Sequence, residues 1–545
     1  MAATHIETER KYEGGAAETR LNPSGLPGVS GVVPAPDEEL DAVYYDTADL
    51  RLLAHGTTLR KRAGGHDEGW HLKRGKGDDR REEIQLPTTD DDVVPEELHV
   101  RVKALARGKP LVPVLRMRTR REREHLVDGH GAAVAEIARD HVAAEILDAA
   151  RPGGRRPAGR RRAGARGSGA APGTGSAGED VPGRIVSWAE LEVELENGAE
   201  GAAAKSLLDA VEKQLASDGW QRSASASKTA RVFADGHHTQ ATPRPPRAGS
   251  AGQVVHDRLV EQVRVLVATD PGVRLDEEEA VHDMRVAARR LRSLLRSYRR
   301  LFDRAVTDPV ADELRWLGRV LGDARDHEVL AARLTGRADD LRLADATGAT
   351  AADLADTGAR IHATELRSYG LARAAALAEL DKRRYYRLLD NLAAMAADPP
   401  LRARADHDAR PELRRTLRRE QRRLADRVAA ARSAPVGPEG DAALHAARKA
   451  AKRARYAGET AQAFAPAAKR FAKRTKDVQR LLGEHQDAVV ARSAVRRMAV
   501  EARAAGADSF AYGLLYAAED RAAADSAARL PKAWKRAKAG KLTRV

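Results

Sequence analysis

The segment WAELEVELE, residues 188–196, alternates between apolar and acidic side chains over its last seven residues. In a β-strand, residues i, i+2 and i+4 share a face, so the segment predicts a strand with glutamates on one face and aliphatic side chains on the other. Neighbouring glutamates on one face repel one another unless a cation neutralises them. Hard divalent cations prefer carboxylate oxygens, so the glutamate face predicts a cation site.

Basic side chains recur with the same period of two in other segments. These segments are HIETERKY (5–12), TLRKR (58–62), WHLKR (70–74) and VLRMRTRR (114–121). For any one of them, a solvated outer face is the simpler interpretation. Taken together, acidic and basic strands that close into a barrel would form a lining for a metal-bound polyanion, because Arg and Lys bind phosphate oxygens.

The composition indicates more than one domain and a polyanionic partner. The chain has 545 residues, a formal net charge of +15 and no cysteine. Its length exceeds one ordinary core, and its charge favours nucleic acid, an anionic membrane surface or polyphosphate as partner. The absence of cysteine excludes disulfides and cysteine-ligated zinc and is compatible with a reducing cytoplasm. The polar first residues predict no secretory signal, and no apolar run is long enough to predict a membrane span.

The texture of the sequence changes along the chain and suggests where the domains end. Residues 151–180 are rich in Gly, Pro and Arg, and residues 235–252 form a Pro/Gly/Ser/Thr-rich segment. After residue 253, long Ala/Leu/Arg stretches have helical periodicity. We expect a β-domain at 1–235 with a disordered insertion at 151–180, a linker at 236–252, a helical domain at 253–535 and a basic tail at 536–545.

Two acidic segments are expected to be solvated. DDRREE (78–83) and TTDDDVVPEE (88–97) carry many carboxylates with few apolar neighbours. We interpret both as loops or strand edges that face water.

Five blocks in the first half resemble the CYTH family, also called the triphosphate tunnel metalloenzymes. They are the E-x-E-x-K motif at residues 7–11, YYDTADLRLLAHGTTLRKRAGG (44–65), GWHLKR (69–74), WAELEVELENG (188–198) and SKTAR (227–231). The resemblance implies an antiparallel eight-stranded β tunnel barrel with helices that binds a triphosphate group with Mg²⁺ or Mn²⁺.

The resemblance also implies roles for particular residues. The carboxylates expected to hold the metal are Glu7, Glu9, Glu192 and Glu194. The residues expected to hold phosphate oxygens in the catalytic site are Lys11, Arg60, Arg62, Lys73 and Arg121. Arg118 is an alternative to Arg121; the two have opposite parity on their strand, so both point inward only if the strand is bulged.

The second half contains an internal repeat. HDMRVAARRLRSLLRSY (282–298) matches HAARKAAKRARYAGETA (445–461): each begins with His and has basic residues at +3, +7, +8 and +10. About 40 residues later, VLGDARDHEVL (320–330) matches LLGEHQDAVVA (481–491). Two degenerate copies of one helical unit explain both matches. Positions 0, +3, +7 and +10 fall within an arc of roughly 80° on a helix, so each copy carries a basic stripe.

This repeat resembles the CHAD domain. The resemblance implies an all-α domain of two four-helix-bundle repeats around a basic channel that binds inorganic polyphosphate. The residues that it implicates are His282, Arg285, Arg289, Arg292, His445, Arg448, Lys449, Lys452 and Arg455. Asp326 and Asp487 are expected to pair with arginines, because a carboxylate would repel phosphate.

The two resemblances imply one combined function. We expect metal-dependent hydrolysis of inorganic triphosphate or short polyphosphate in the tunnel and polyphosphate binding by the helical domain, in the cytoplasm or at polyphosphate granules. The alternatives are a non-catalytic granule-binding protein and, for the tunnel, adenylate cyclisation or thiamine triphosphate hydrolysis. We expect no membrane as partner. We also expect no specific nucleic acid, because the basic stripes have almost no aromatic residues for base stacking. The sequence leaves the oligomeric state open.

Overall fold

A computed structural model describes residues 3–15, 19–77, 79–150, 185–196, 201–234, 245–344 and 349–538. The chain divides into two compact units, residues 1–240 and 241–545. The predicted insertion at 151–180 lies outside the described residues, as do most of the predicted linker and most of the predicted basic tail. None of the helices in the described ranges combines the length and apolar character needed to cross a membrane.

The first unit is built on an antiparallel sheet that closes on itself. Its strands are β1 (Ala3–Glu13), β2 (Gly31–Asp46), β3 (Thr57–Ala63), β4 (Gly69–Gly75), β5 (Arg80–Leu86), β6 (Val112–Val127), β7 (Ala133–Ile146), β8 (Ile185–Leu195) and β9 (Gln221–Arg222). The order is β5-β4-β3-β2-β6-β7-β8-β1, and β1 pairs again with β5 to complete an eight-stranded barrel. The short strand β9 adds to the end of β1.

Part of the apolar core of this unit lies on the outside of the barrel, under a helix. The helices of this unit are α1 (Glu96–Ala106), α2 (Ala202–Ser217) and α3 (Lys228–Ala234). Leu191 and Val193 on β8 pack with Val211 and Leu215 of α2, and all four are fully buried. Each such side chain contributes roughly 1.5–3 kcal/mol when buried. Because side chains alternate along a strand, this outer core turns the charged residues of β1 and β8 inward.

The second unit is helical. Its helices are α4 (Ala251–Leu275), α5 (Ala280–Ser297), α6 (Arg304–Val320), α7 (Gly322–Ala344), α8 (Ala349–Leu380), α9 (Arg383–Ala397), α10 (Ala409–Ser433), α11 (Pro438–Ala461), α12 (Pro466–Ala504) and α13 (Phe510–Ala537). The helix α4 begins within the predicted linker, where the Ser250 hydroxyl accepts a hydrogen bond from the Gln253 amide as N-cap.

The sequence repeat corresponds to a repeat of helices. The helices α10–α13 form one four-helix copy, and α5 and α11 carry the matched segments. The other copy departs from it in two places. The helix α6 ends at Val320 and α7 begins at Gly322, whereas α12 continues through the matching Gly483, and the additional helix α9 follows α8. On α5, Met284, Leu291 and Leu295 are buried opposite the basic stripe, as its periodicity predicts. The predicted fold class, a β tunnel barrel followed by an all-α repeat domain, is confirmed.

One expectation from the sequence is wrong. Residues 80–83 of the acidic DDRREE segment belong to β5, which pairs with both β4 and β1. Glu83 points into the barrel and is only 2% exposed. The pairing of β5 with β1 closes the barrel, and this contact between distant segments buries a carboxylate that local composition assigns to water.

Candidate functional site

The barrel interior is a tunnel of about 620 Å³ with a nearly balanced set of charges. Its lining includes nine carboxylates and eight Lys or Arg side chains. The acids are Glu7, Glu9, Asp67, Glu83, Glu136, Asp140, Glu192, Glu194 and Glu196, and the bases are Lys11, Arg60, Arg62, Lys73, Arg81, Arg121, Arg123 and Lys228. A ligand that suits such a lining offers both positive and negative charge, as a metal-bound phosphate chain does.

Lys73 on β4 connects the carboxylates of β1 and β5. Its Nζ lies 2.7 Å from Glu7 Oε2 and 3.4 Å from Glu83 Oε1. Glu83 also contacts His5 Nε2 at 3.0 Å and His71 Nδ1 at 2.8 Å. Burial opposes ionisation of Glu83, but Lys73 and the two imidazoles outweigh it and hold the pKa of this carboxyl below its ordinary value.

Glu192 on β8 is the centre of a second charged group. Lys11 and Lys228 both form ion pairs with it, and Arg121 Nη2 lies 2.9 Å from its Oε2. Burial disfavours the charged form of Glu192, but these three cations hold its pKa well below its ordinary range. Arg121 also binds Asp140 through two hydrogen bonds of 2.7 Å, in the fork geometry that suits a carboxylate or a phosphate.

The helix α3 delivers Lys228 to this group. Val232 and Phe233 of α3 pack against apolar side chains of the barrel strands, among them Tyr44 and Met117, and fix the helix there. Tyr44 and Met117 also line the tunnel, so α3 packs against the inner face of the barrel. The Lys228 Nζ then lies 2.8 Å from Asp140 Oδ2 and 2.7 Å from Glu190 Oε1. A cation from outside the strands therefore neutralises the carboxylates of β7 and β8.

Arg60 and Arg62 on β3 are partnered less completely. Arg60 Nη1 donates a hydrogen bond of 3.4 Å to the Tyr44 hydroxyl, and Arg62 pairs with Asp67. Within the described part of the chain, the Nε–H groups of both arginines are buried without a hydrogen-bond partner. Buried guanidinium donors without acceptors mark a place where an anion would be stabilised.

The carboxylates form two sets that suit a divalent cation. Donor atoms of His5, Glu7 and Glu83 all lie within 4.8 Å of one another, and so do those of Asp140, Glu190 and Glu192. The first set offers two carboxylates and one imidazole, and the second set offers only carboxylates. Mg²⁺ prefers oxygen ligands, and Mn²⁺ suits the same donors.

Glu194 adds a further indication of a cation. Its Cα is paired with that of Glu9 across β8 and β1, and no Lys or Arg lies within ion-pair distance of it in the described ranges. Burial raises the pKa of Glu194 to about 8 against the opposing charge of Lys73, and Glu7, Glu9 and Glu192 add to the rise. A cation at this end of the tunnel would relieve the repulsion among these carboxylates.

The helical unit contains a cavity of about 720 Å³ between α5, α7, α11 and α12. Its lining is strongly basic, with eight Lys or Arg side chains and three aspartates. The basic residues are Arg285, Arg289, Arg290, Arg325, Arg333, Arg448, Lys452 and Arg455, and His282 and His445 line the same space. A cavity with this excess of positive charge suits a polyanion.

The two copies place equivalent groups in equivalent positions. Arg285 Nη1 lies 3.3 Å from Asp326 Oδ1, and Arg448 Nη1 lies 3.3 Å from Asp487 Oδ1. A glycine lies beside each guanidinium: a Cβ at Gly322 would lie 3.8 Å from Arg285 Nη2, and one at Gly483 would lie 3.5 Å from Arg448 Nη2. As the sequence predicts, each aspartate orients an arginine at the cavity wall.

The comparison with known proteins identifies both units. The CYTH domain model matches residues 5–233, and the CHAD domain model matches residues 257–496. The uncharacterized protein Rv2226 of Mycobacterium tuberculosis is 36% identical over 522 residues, which cover 95% of this chain and 93% of that protein. The uncharacterized protein MT2285 of strain CDC 1551 of the same species has the same identity and coverage. This chain belongs to the CYTH–CHAD family.

Two solved structures are also similar. PptA from Streptomyces chartreusis is 24% identical with a TM-score of 0.44, over 52% of this chain and 99% of that chain. The CHAD domain from the plant Ricinus communis is 27% identical with a TM-score of 0.41, over 55% of this chain and 97% of that chain.

Membership in the family confirms the two resemblances. The CYTH domain has the triphosphate-tunnel fold of a metal-dependent family, and the CHAD domain has a fold associated with polyphosphate binding. The acidic groups of the tunnel could bind a metal ion, as that family membership leads one to expect.

All nine residues predicted from the sequence for the CYTH site line the tunnel. Arg121 points inward, whereas the Arg118 side chain is 67% exposed on the outer face. The assignment omitted Glu83 and Lys228. Lys228 lies in the SKTAR block that resembled the family, so the signal was present, whereas Glu83 became visible only through strand pairing.

In the CHAD domain, seven of the nine assigned residues line the cavity. Arg292 and Lys449 are not among the lining residues, although they lie on the same two helices. Arg292 has Arg296 and Arg315 as charged neighbours instead, and they lower its pKa in addition to the effect of burial. Arg333 on α7 lines the cavity but lies outside the repeated segments, and Arg325 lies within the repeated segment 320–330, where the second copy has the uncharged Gln486.

Proposed function

We propose that the CYTH domain hydrolyses inorganic triphosphate or short polyphosphate with Mg²⁺ or Mn²⁺, and that the CHAD domain binds longer polyphosphate. The observation that carries the first part is the tunnel lining: carboxylate sets suited to a divalent cation face buried guanidinium groups with free Nε–H donors. A phosphate chain with a bound cation matches both halves of that lining at once.

Acidic and basic residues of the tunnel would have different roles. Glu7, Glu9, Glu192 and Glu194, together with Glu83 and Asp140, would hold the cation. When bound, the cation would withdraw charge from phosphate oxygens. Lys11, Arg60, Arg62, Lys73 and Arg121 would contact those oxygens and stabilise the charge that develops on them.

The reaction adds one water to a terminal phosphorus and breaks one bridging P–O bond. Triphosphate would give orthophosphate and pyrophosphate, and the proton of the attacking water would pass to solution. The leaving group departs opposite the incoming oxygen, so the positive side chains would hold the chain in line along the tunnel.

The lining favours inorganic substrates over nucleotides and thiamine triphosphate. Among the described residues that line the tunnel, Tyr44 is the only Phe, Trp or Tyr. Its side chain is buried, and its hydroxyl accepts a hydrogen bond from Arg60. An adenine or a thiazolium ring would require an open aromatic or apolar surface. This argues against adenylate cyclisation and thiamine triphosphate hydrolysis.

A substrate panel tests the catalytic proposal. Purified protein is mixed with pyrophosphate, triphosphate, long polyphosphate, ATP or thiamine triphosphate, each with Mg²⁺ or Mn²⁺, and released orthophosphate is measured. We expect release from triphosphate to exceed release from the two organic substrates. Glu7→Gln and Glu9→Gln should each lower the rate by about a hundredfold or more, whereas Glu39→Gln, at an exposed position of β2, should leave it unchanged.

Each half of the proposal can fail separately. No release from any substrate, with polyphosphate binding intact, would make this a binding protein, for which location at cytoplasmic polyphosphate granules is the expectation. Conversely, a CHAD variant with Arg285→Gln and Arg448→Gln that still binds long polyphosphate with unchanged affinity would contradict the role of the cavity. Triphosphate hydrolysis should be unaffected in that variant, since both substitutions lie in the helical unit.

A further inference from the structure

We propose that polyphosphate leaving the CHAD cavity continues onto a second binding surface on α5 and α10. We name it the arginine track and define it by Arg296, Arg419, Arg422, Arg423 and Arg427. The inference rests on the proposed polyphosphate binding by the CHAD domain and extends that binding beyond the cavity.

The track continues the basic stripe of α5. Arg289 lines the cavity, and Arg292 and Arg296 follow it on the same helix at spacings of three and four residues. Side chains at these spacings are neighbours on one helix face. The stripe therefore runs from the cavity wall to the C-terminal end of α5, where Arg296 is exposed.

Three helices meet at that end. Arg453 of α11 donates a hydrogen bond of 2.8 Å to the carbonyl oxygen of Arg296 and one of 3.2 Å to the Ser297 hydroxyl. Arg419 of α10 donates to the carbonyl oxygen of Ser297. The buried Glu420 lies 3.0 Å from Arg453 Nε. These contacts bring the basic face of α10 directly beside the end of the α5 stripe.

The surface of α10 offers two adjacent grooves lined by arginines. One, of about 560 Å³, is lined by Arg419, Arg422, Arg423 and Arg427 with Asp426. The other, of about 380 Å³, is lined by five arginines and Pro411 and shares Arg422 with the first. Arg415 pairs with Glu412 of the same helix, and Arg419 and Arg423 lie 3.6 and 4.0 Å from the buried Glu420. The two grooves together are lined by eight arginines and one carboxylate, Asp426, so the surface keeps a large positive excess.

The positive groups at this junction destabilise one another. Burial and the guanidinium groups of Arg423, Arg419 and Arg296 lower the pKa of Arg453 to about 10 in spite of the opposing charge of Glu420. An anion placed across these groups would remove the repulsion. The geometry and the electrostatics therefore agree that this surface favours a negative ligand.

The side chains indicate phosphate as the ligand group. The α10 segment 409–433 contains many arginines, no lysine and no aromatic residue. Arginine binds phosphate oxygens through two parallel N–H donors, whereas single-stranded nucleic acid is held by stacking on aromatic rings. From Arg410 to Arg427 the helix rises about 25 Å, which suits a linear polymer rather than a single phosphate.

A chain-length comparison tests the inference. The track variant carries Arg296→Gln, Arg422→Gln, Arg423→Gln and Arg427→Gln in the full-length protein, all at exposed positions. Dissociation constants are measured for short polyphosphate that the cavity alone can hold and for long-chain polyphosphate. We expect the track variant to bind the long chain about tenfold more weakly or worse, because a second linked contact is lost, and to bind the short chain normally.

A matched control removes four charges elsewhere. Arg383→Gln, Arg387→Gln, Arg503→Gln and Arg521→Gln are also exposed and should leave both affinities unchanged. Equal losses in the two variants, or no loss of long-chain affinity in the track variant, would overturn the track while leaving the proposed cavity function standing. If duplex DNA displaces long polyphosphate at equal phosphate concentration and only the track variant loses DNA binding, the surface is a nucleic-acid site instead.

Discussion

The Nε–H of Arg289 on α5 donates a hydrogen bond of 2.9 Å to the hydroxyl oxygen of Tyr456 on α11. Arg289 belongs to the first copy of the sequence repeat and Tyr456 to the second. The bond therefore joins the two basic stripes across one cavity, which both residues line. The sequence predicts the two stripes as faces of separate helices, and in the structure they line one basic cavity.

The first prediction follows from this symmetry. Arg285→Gln and Arg448→Gln should weaken polyphosphate binding by similar factors, about tenfold each, because each removes a charge-assisted contact at an equivalent position. Titration of long polyphosphate into each variant measures the effect, and Arg503→Gln serves as an exposed control. A large loss for one variant with none for the other would show that the copies have diverged in function.

The second prediction concerns pH. Burial and the guanidinium groups of Arg448 and Arg289 lower the pKa of Lys452 from 10.5 to about 7. Arg285 lowers it further, while Asp487 opposes the shift. Polyphosphate favours the protonated ammonium, so above about pH 7 binding requires uptake of a proton. The affinity should fall as the pH rises from about 6 to about 9.

An arginine at the same position provides the control for this pH effect. Lys452→Arg stays protonated over the whole range, so its affinity should lose most of the pH dependence. Burial and nearby cations lower the pKa values of His282 and His445 below the ordinary 6.5, so both imidazoles are mostly neutral in the free protein above pH 7. Protons that they take up with the polyphosphate would give a slope that remains in Lys452→Arg. A slope that persists unchanged in Lys452→Arg would assign the titration to another group.

The third prediction separates structural from ligand-binding cations in the tunnel. Lys228→Met leaves Asp140, Glu190 and Glu192 without their shared cation and should lower the free energy of unfolding by about 3 kcal/mol at neutral pH. Among the described residues, Arg60 has a hydrogen bond to Tyr44 but no ion pair. Arg60→Met should therefore change the free energy of unfolding by less than about 1 kcal/mol, and it should lower kcat/KM. Urea unfolding and triphosphate hydrolysis measure the two effects.

The loss of stability in Lys228→Met should also depend on pH. Lys228 helps to hold the pKa values of Asp140 and Glu192 below their ordinary values. The deficit of Lys228→Met should therefore shrink at acid pH, because protonation of Asp140 and Glu192 removes the repulsion that the lysine offsets. Equal stability of the two variants at neutral pH would contradict the assignment of Lys228 as a neutralising group.

The fourth prediction tests the packing of α11 on α12. A Cβ at Gly458 would lie 2.9 Å from Phe471 Cδ1 and 3.1 Å from Ala472 Cβ, so Gly458→Ala should destabilise the CHAD domain by about 1–3 kcal/mol despite the gain in helix propensity. Gly336→Ala on α7 adds a Cβ with nothing within 4 Å and should stabilise by roughly 0.5–1 kcal/mol. Thermal unfolding measures the midpoint temperature of both variants. Shifts of the same sign would contradict the close approach of α11 and α12 at Gly458.

The sequence was sufficient to predict which side chains share a face of one strand or one helix. The period of two in β1 and β8 fixed which carboxylates share a face, and the outer packing of Leu191 and Val193 then required that face to turn inward. The arc of 0, +3 and +7 on α5 likewise grouped His282 with Arg285 and Arg289, which do share the cavity wall. Strand and helix periodicities follow from backbone geometry alone, so they are readable without coordinates.

Tertiary structure decided which of these faces meet. Glu83 is a tunnel residue only because β5 pairs with β1, more than seventy residues away in sequence. Lys228 enters the tunnel only because α3 packs against inward-facing apolar side chains of distant strands, such as Tyr44 and Met117. Arg292 lies on the predicted helix face but beyond the cavity, beside Arg296. The charge on a residue is set by its own side chain, but its burial and partners come from contacts between distant segments, which no local pattern encodes.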